Sequence, residues 1–174
     1  GHGRGMILGE ITAKFLSLQG YEVTREYYVN DAGRQIDLLL VSVLLQHIEK
    51  SGHIFIDEKN NKDGRMFTYK GNYINDISIS LKDKLNLFKK KDIFNLLEKP
   101  IDSLISYLKD HPNYFETRCA LVEEIINKYI KKDLSVVNIV FDSWFFESQL
   151  YKTGLLEEVL SIINDKDLSY KKDG

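Results

Sequence analysis

The apolar positions of this chain change rhythm several times, and each rhythm predicts an element. Ile7, Leu8, Ile11, Ala13, Phe15, Leu16 and Leu18 recur at helical spacing, and Gly20 is placed to end that helix. Tyr21 to Asn30 alternates in strand fashion and carries the aromatic pair Tyr27-Tyr28. Asn30-Asp31-Ala32-Gly33 has the composition of a turn. Arg34 to Ser42 follows with Ile36, Leu38, Leu39, Leu40 and Val41, which predicts a second strand buried on both faces and a hairpin with the first. Val43 to Lys50 is expected as a short helix closed by Ser51-Gly52. His53 to Asn60 is expected as a third strand, apolar at Ile54, Phe55 and Ile56 and charged thereafter. Asn60 to Gly64 reads as a loop, and Met66 to Tyr73 as a further strand or an irregular excursion.

From Ile77 the pattern turns helical. Helices are predicted over 81–97, over 101–109 with Pro100 in the first turn, and over 115–131 with Leu121, Ile125, Ile126 and Ile130 along one stripe. Ser135 to Phe141 reads as a buried strand, Leu155 to Ile163 as a last helix, and the polar stretch from Asp165 as a frayed tail. With no internal repeat, low-complexity tract or linker, residues 6–174 are expected to form one α/β domain. Gly1-His2-Gly3-Arg4-Gly5 reads as an expression remnant before a natural start at Met6.

Composition narrows the class. In 174 residues, 43% hydrophobic and 11% aromatic content suffices for a core and excludes a disordered tail. The longest apolar run, Leu38 to Leu45 broken by Ser42, is too short to span a membrane, and no secretory signal is visible at the start. The one cysteine, Cys119, can form neither an internal disulfide nor a zinc cluster. It reads as a small buried hydrophobe, in keeping with an intracellular, cytoplasmic protein. A net charge of −2 announces no polyanionic partner, but the charge is uneven. Lys82, Lys84, Lys89, Lys90 and Lys91 cluster mid-chain, with Lys59, Lys62, Arg65 and Lys70 upstream. Such a stripe can track a phosphate backbone while acidic helices cancel it in the sum.

Four charged residues stand where neutral ones would pack better. Glu10 lies on the first helix, Asp37 interrupts the most hydrophobic stretch, and Asp57 and Lys59 share a face at the end of the third predicted strand, with Glu58 on the opposite face. A carboxylate inside a buried strand is costly unless it is paired or binds a metal. Asp37 and Asp57 on adjacent strands would hold one Mg²⁺ (or Mn²⁺) through hard oxygens, Glu10 would complete the shell, and Lys59 would orient the attacking water. Asp37 bonded to Arg34 or Lys59 as a satisfied buried acid is the plain alternative. A one-residue slip would bring Glu58 to the metal instead of Asp57. Arg25, Gln35, Lys62 and Lys70 are candidate nucleic-acid contacts.

The order of these elements resembles the PD-(D/E)XK nuclease superfamily, which includes restriction endonucleases and Holliday-junction resolvases. The likeness is carried by Glu10, by Gly20-Tyr21-Glu22-Val23, by Gly33-Arg34-Gln35-Ile36-Asp37-Leu38-Leu39-Leu40 and by Ile54-Phe55-Ile56-Asp57-Glu58-Lys59-Asn60. It implies an αβββαβ core with a central mixed sheet flanked by helices, extra helices in the second half, and a magnesium-dependent endonuclease acting on nucleic acid, DNA first. It also implies a possible homodimer, since cutting two strands needs two sites.

A second resemblance competes. Val137-Asn138-Ile139-Val140-Phe141-Asp142-Ser143-Trp144-Phe145-Phe146, preceded by Phe115-Glu116-Thr117-Arg118, is similar to the second acidic motif of DDE transposases of the RNase H-like fold. That likeness would pair Asp57 with Asp142 around two metals. The plain reading has Asp142 capping the end of the buried strand while Trp144, Phe145 and Phe146 pack the core. A third possibility is a nuclease fold retained only as a nucleic-acid-binding or protein-binding module.

Overall fold

The computed structural model describes residues 2–50, 69, 71–97 and 99–170. Along the chain run α1 (His2–Leu18), β1 (Glu26–Val29), α2 (Arg34–Lys50), α3 (Asn72–Ser80), α4 (Lys82–Leu85), α5 (Lys90–Phe94), α6 (Ile101–Lys109) and α7 (Tyr114–Ile125). A π-helical turn, Ile126–Ile130, leads into α8 (Lys131–Val136), followed by β2 (Ser143–Phe146), α9 (Ser148–Lys152) and α10 (Leu155–Asp165). The chain divides into two compact units: Gly1–Ala32 with Leu134–Gly174, and Gly33–Asp133.

In the first unit β1 and β2 pair in parallel, in register from Glu26 opposite Ser143 to Val29 opposite Phe146. A parallel pair needs a long crossover, so the expected hairpin between Tyr21–Asn30 and Arg34–Ser42 is not formed. The pairing is driven by aromatic and β-branched side chains that face one another across the ladder. Tyr27 stacks on Trp144 with centroids 4.6 Å apart, and Phe141 meets Tyr27 edge-on at 5.1 Å. Gly20, at φ 87°, ends α1 as its position predicts, its N–H bonded to Ser17 O while Tyr21 N–H reaches Leu16 O.

The second unit is helical throughout its described residues. Its core gathers Leu40, Val41, Leu44 and Ile48 of α2, Ile77 of α3, Leu85, Phe88 and Ile93 of the α4–α5 region, Leu104 and Leu108 of α6, and Leu121 of α7. Here the largest correction falls. Arg34–Ser42 is not a strand: it is the first half of the seventeen-residue helix α2, continuous with the segment expected as a separate short helix from Val43. Helices pack on α2 from several sides, so apolar side chains are buried most of the way round it and no amphipathic stripe is left to read.

The expected αβββαβ core is therefore replaced, among the described residues, by a mostly helical chain with one two-stranded parallel sheet. The predicted strand Ser135–Phe141 is instead the end of α8 and a turn in which Asn138 takes φ 53°. Helix 81–97 divides into α4 and α5. The predicted third strand, His53–Asn60, lies outside the described residues. Among the described residues no helix is long and apolar enough to cross a membrane.

Candidate functional site

The carboxyl ends of β1 and β2 are stitched together by polar groups. Glu147 N–H donates to Val29 O at 2.9 Å, and Ser148 N–H donates to Asp31 Oδ1 at 2.8 Å. Asp31 itself is buried, in the turn that follows the strand. The Tyr28 hydroxyl donates to the Glu147 carboxylate; loss of solvent, then the charge of Glu147, pushes that hydroxyl above the ordinary tyrosine value. Asn30 stands exposed between these groups in sequence. In parallel α/β arrangements the helices cover the faces of the sheet, so ligands enter beyond the carboxyl ends of the strands. This end carries two carboxylates, Asp31 and Glu147, beside the exposed rings of Tyr28 and Tyr151.

The amino ends of the same strands are occupied by structural pairs. Arg25 N–H donates to Asp142 Oδ2 at 2.7 Å, while Asp142 N–H returns to Arg25 O at 2.8 Å. This reciprocal bond fixes where the ladder begins. The Arg25 side chain turns the other way and donates through Nε to Glu10 Oε2 at 2.8 Å, with Lys14 Nζ 3.2 Å from Glu10 Oε1. That hydrogen bond from Arg25, reinforced by Lys14, holds the Glu10 carboxyl below its ordinary range against the opposing effect of burial. A cavity of about 260 Å³ opens beside the pair, walled by Met6, Gly9, Ala13, Thr24, Ile139 and Phe141.

In the second unit Asp37 is a buried acid with its own set of partners. Its Oδ1 accepts the Tyr114 hydroxyl at 2.5 Å and lies 3.7 Å from an Arg118 guanidinium nitrogen. Lys109 Nζ stands 3.0 Å from Oδ2, an ion pair out of line for a hydrogen bond, so charge alone satisfies that oxygen. Arg118 also donates to the Tyr114 oxygen at 2.8 Å and lies over the Tyr114 ring. Burial first, then the hydrogen bond to Asp37, pushes the Tyr114 hydroxyl up to about 12.

The residues singled out by sequence thus meet different ends. Glu10 and Asp37 belong to separate units, and each carboxylate is already neutralised by cations of its own unit. Asp57, Glu58, Lys59, Lys62 and Lys70 lie outside the described residues. Among the described residues no three His, Cys, Asp or Glu side chains converge on a point that could hold a metal. Arg25 is committed to Glu10 and Asp142, while Gln35 is exposed in the first turn of α2. Asp142 does not cap the end of a strand Ser135–Phe141, as the plain reading had it; it precedes β2 and accepts the Arg25 N–H at the start of the ladder. Sequence reading placed Tyr28 in a strand and Asp31 in a turn, and gave neither of them nor Glu147 a place in a site. The signal within reach was an aromatic strand ending in Asn30-Asp31 and a second one ending in Glu147-Ser148, which only a parallel pairing brings side by side.

The family model described as tRNA synthetases class I (R), catalytic domain, matches residues 1–174, the whole chain. The chain belongs to this family. The match overturns the likenesses to the nuclease superfamily and to the transposases, and with them the endonuclease activity; the DNA substrate and the homodimer lose the likeness they rested on. Nor does the non-catalytic module on a nuclease fold survive, because the fold is not a nuclease's. The arginine–tRNA ligase of Aquifex aeolicus is 32% identical over 190 aligned positions, covering all of this chain and 32% of that protein. The arginine–tRNA ligase of Shouchella clausii is 33% identical over 174, again covering the whole chain and 27% of the relative. The crystal structure of an arginyl-tRNA synthetase from Campylobacter jejuni superimposes with a TM-score of 0.71 at 25% identity, over 99% of this chain and 32% of that one. The chain spans about a third of the length of these relatives. The match to this class I family includes Gly1 to Gly5, of which His2 to Gly5 form the first turn of α1.

Proposed function

We propose that this chain forms part of the catalytic domain of an arginine–tRNA ligase, whose work is to join arginine to tRNA. The match of the arginine-type class I family model over the full 174 residues carries this reading. The acidic carboxyl end of the β1–β2 pair supports it. Arginine brings a guanidinium that prefers planar carboxylate partners and aromatic faces, and Glu147, Tyr28 and Tyr151 offer both. Asp31 acts there as a positioning residue, because its carboxylate is spent on the Ser148 amide and so fixes the loop that carries Glu147. Linking a free carboxylate to a ribose hydroxyl is uphill in water, so the reaction needs prior activation of arginine, which the longer protein would supply with ATP.

The test is complementation. The segment of the Shouchella clausii ligase matched by residues 1–174 is replaced by this chain, and the chimera is expressed in cells whose own arginine–tRNA ligase is switched off. Growth is expected for the chimera and not for the ligase lacking the segment. A chimera that accumulates as folded protein yet never supports growth refutes the proposal.

A further inference from the structure

The lysine-rich stretch noted in the sequence remains unexplained by the site above. Five lysines against two aspartates fall between residues 82 and 92, in a chain whose total charge is −2. The structure shows how they are displayed. Leu81, Leu85, Phe88 and Ile93 are buried in the core of the second unit, pinning α4, α5 and the segment between them along one side. Lys82, Lys89 and Lys91 fall between these anchors and are exposed. Two other lysines are engaged: Lys84 pairs with Glu116, and Lys90 has a partner of its own. Of the two aspartates, Asp92 is hydrogen-bonded by the Tyr107 hydroxyl and Asp83 is exposed.

We infer that Lys82, Lys89 and Lys91 form a docking surface for the phosphodiester backbone of RNA. Ammonium groups on flexible stems held by a firmly anchored segment suit phosphates, which are contacted as point charges without base recognition. An acidic protein surface is the other polyanion such a patch would attract, but its carboxylates are sparser than the unbroken phosphate repeat that three cations on one short segment would follow. That the RNA is tRNA rests on the function proposed above; the affinity for phosphate does not.

The test measures binding of a fluorescent tRNA transcript to the full chain by anisotropy, over a series of KCl concentrations. Two variants of equal charge change are compared: K82E/K89E/K91E, and K132E/K152E/K166E as a control at exposed lysines elsewhere. Each phosphate no longer neutralised should lower the slope of log K against log salt by about 0.7 to 0.9. The first variant is therefore expected to bind at least about tenfold more weakly at low salt and to lower the slope by about two, and the control to change far less. K82A/K89A/K91A should fall between the first variant and the unmodified chain. The inference is overturned if the unmodified chain does not bind RNA at low salt, if both triple variants weaken binding equally, or if the chain prefers polyglutamate to RNA at the same salt. The two readings separate cleanly. Weakened RNA binding in the first variant beside a chimera that never supports growth sinks the ligase and keeps the surface; growth beside unchanged RNA binding does the reverse.

Discussion

Replacing Asp37 by alanine removes the charge on which the polar cluster of the second unit converges. The hydrogen bond from Tyr114 to this ionised acceptor is worth about 1.5–3 kcal/mol. The Arg118 pair is mostly shielded from water, its side chain 14% exposed, so its loss leaves a cation facing a methyl group. Lys109, 51% exposed, adds no more than about 1 kcal/mol because solvent screens it. An acid in the first turn of α2 adds roughly 0.5 kcal/mol through the helix dipole. These contributions overlap. The expected cost of Asp37→Ala is about 3–4 kcal/mol, in line with the roughly 3–5 kcal/mol for breaking a buried charge pair. Urea unfolding followed by far-ultraviolet circular dichroism would measure it, with hydrogen exchange of the α2 amides assigning the loss to this unit. A double-mutant cycle with Tyr114→Phe should give a coupling above about 1 kcal/mol. A cost below about 1 kcal/mol for Asp37→Ala, or single effects that simply add, would refute the idea that this acid organises the unit.

Three further outcomes follow from the same geometry. The Tyr114 hydroxyl is raised to about 12 in the folded protein against about 10 in the unfolded chain. The stability it contributes is therefore complete below pH 10 and lost as pH rises from 10 to 12, by about 1 kcal/mol once solvent screening of this half-buried hydroxyl is allowed for; Tyr114→Phe should flatten that alkaline decline in a pH series of unfolding midpoints, and an unchanged decline would exclude the cause. Glu10 is shifted the other way by Arg25, so its contribution is present above the ordinary glutamate value of about 4.3 and lost as pH falls below it. Glu10→Gln should cost about 1 kcal/mol near neutrality and almost nothing near pH 2, checked by unfolding at both. Asp142→Ala should release the Arg25 amide, seen as faster hydrogen exchange at Arg25 with little change at Leu40; equal exchange before and after would show that the carboxylate does not hold the strand start.

Several elements were legible in the sequence because their signals are local. α6 was placed at Ile101–Lys109 by Pro100 and a regular apolar stripe, and α10 and the end of α1 by the same kind of pattern with Gly20. Asp37 was misplaced for a physical reason: a short apolar run such as Ile36 to Val41 is compatible with a buried strand or a fully buried helix, and periodicity cannot separate them. Length could have done so, since the apolar pattern continues through Leu45 to Ile48, well beyond an ordinary strand. The β-branched run Val136 to Val140 misled in the opposite way. Strands form where a partner is at hand, and β1 pairs only from Ser143 onward. The carboxyl-end site stayed hidden because Asp31 and Ser148 are 117 residues apart in sequence. Nothing in either stretch announces the parallel register that joins them.

Aminoacylation of tRNA separates arginine from every other amino acid. The chimera is incubated with ATP, total tRNA and each labelled amino acid in turn, and acid-precipitable label is counted. Label is expected on tRNA with arginine alone, sharply reduced when Asp31→Ala loosens the start of α9. Label from a different amino acid, or none from arginine in a chimera that is folded and binds ATP, would contradict it.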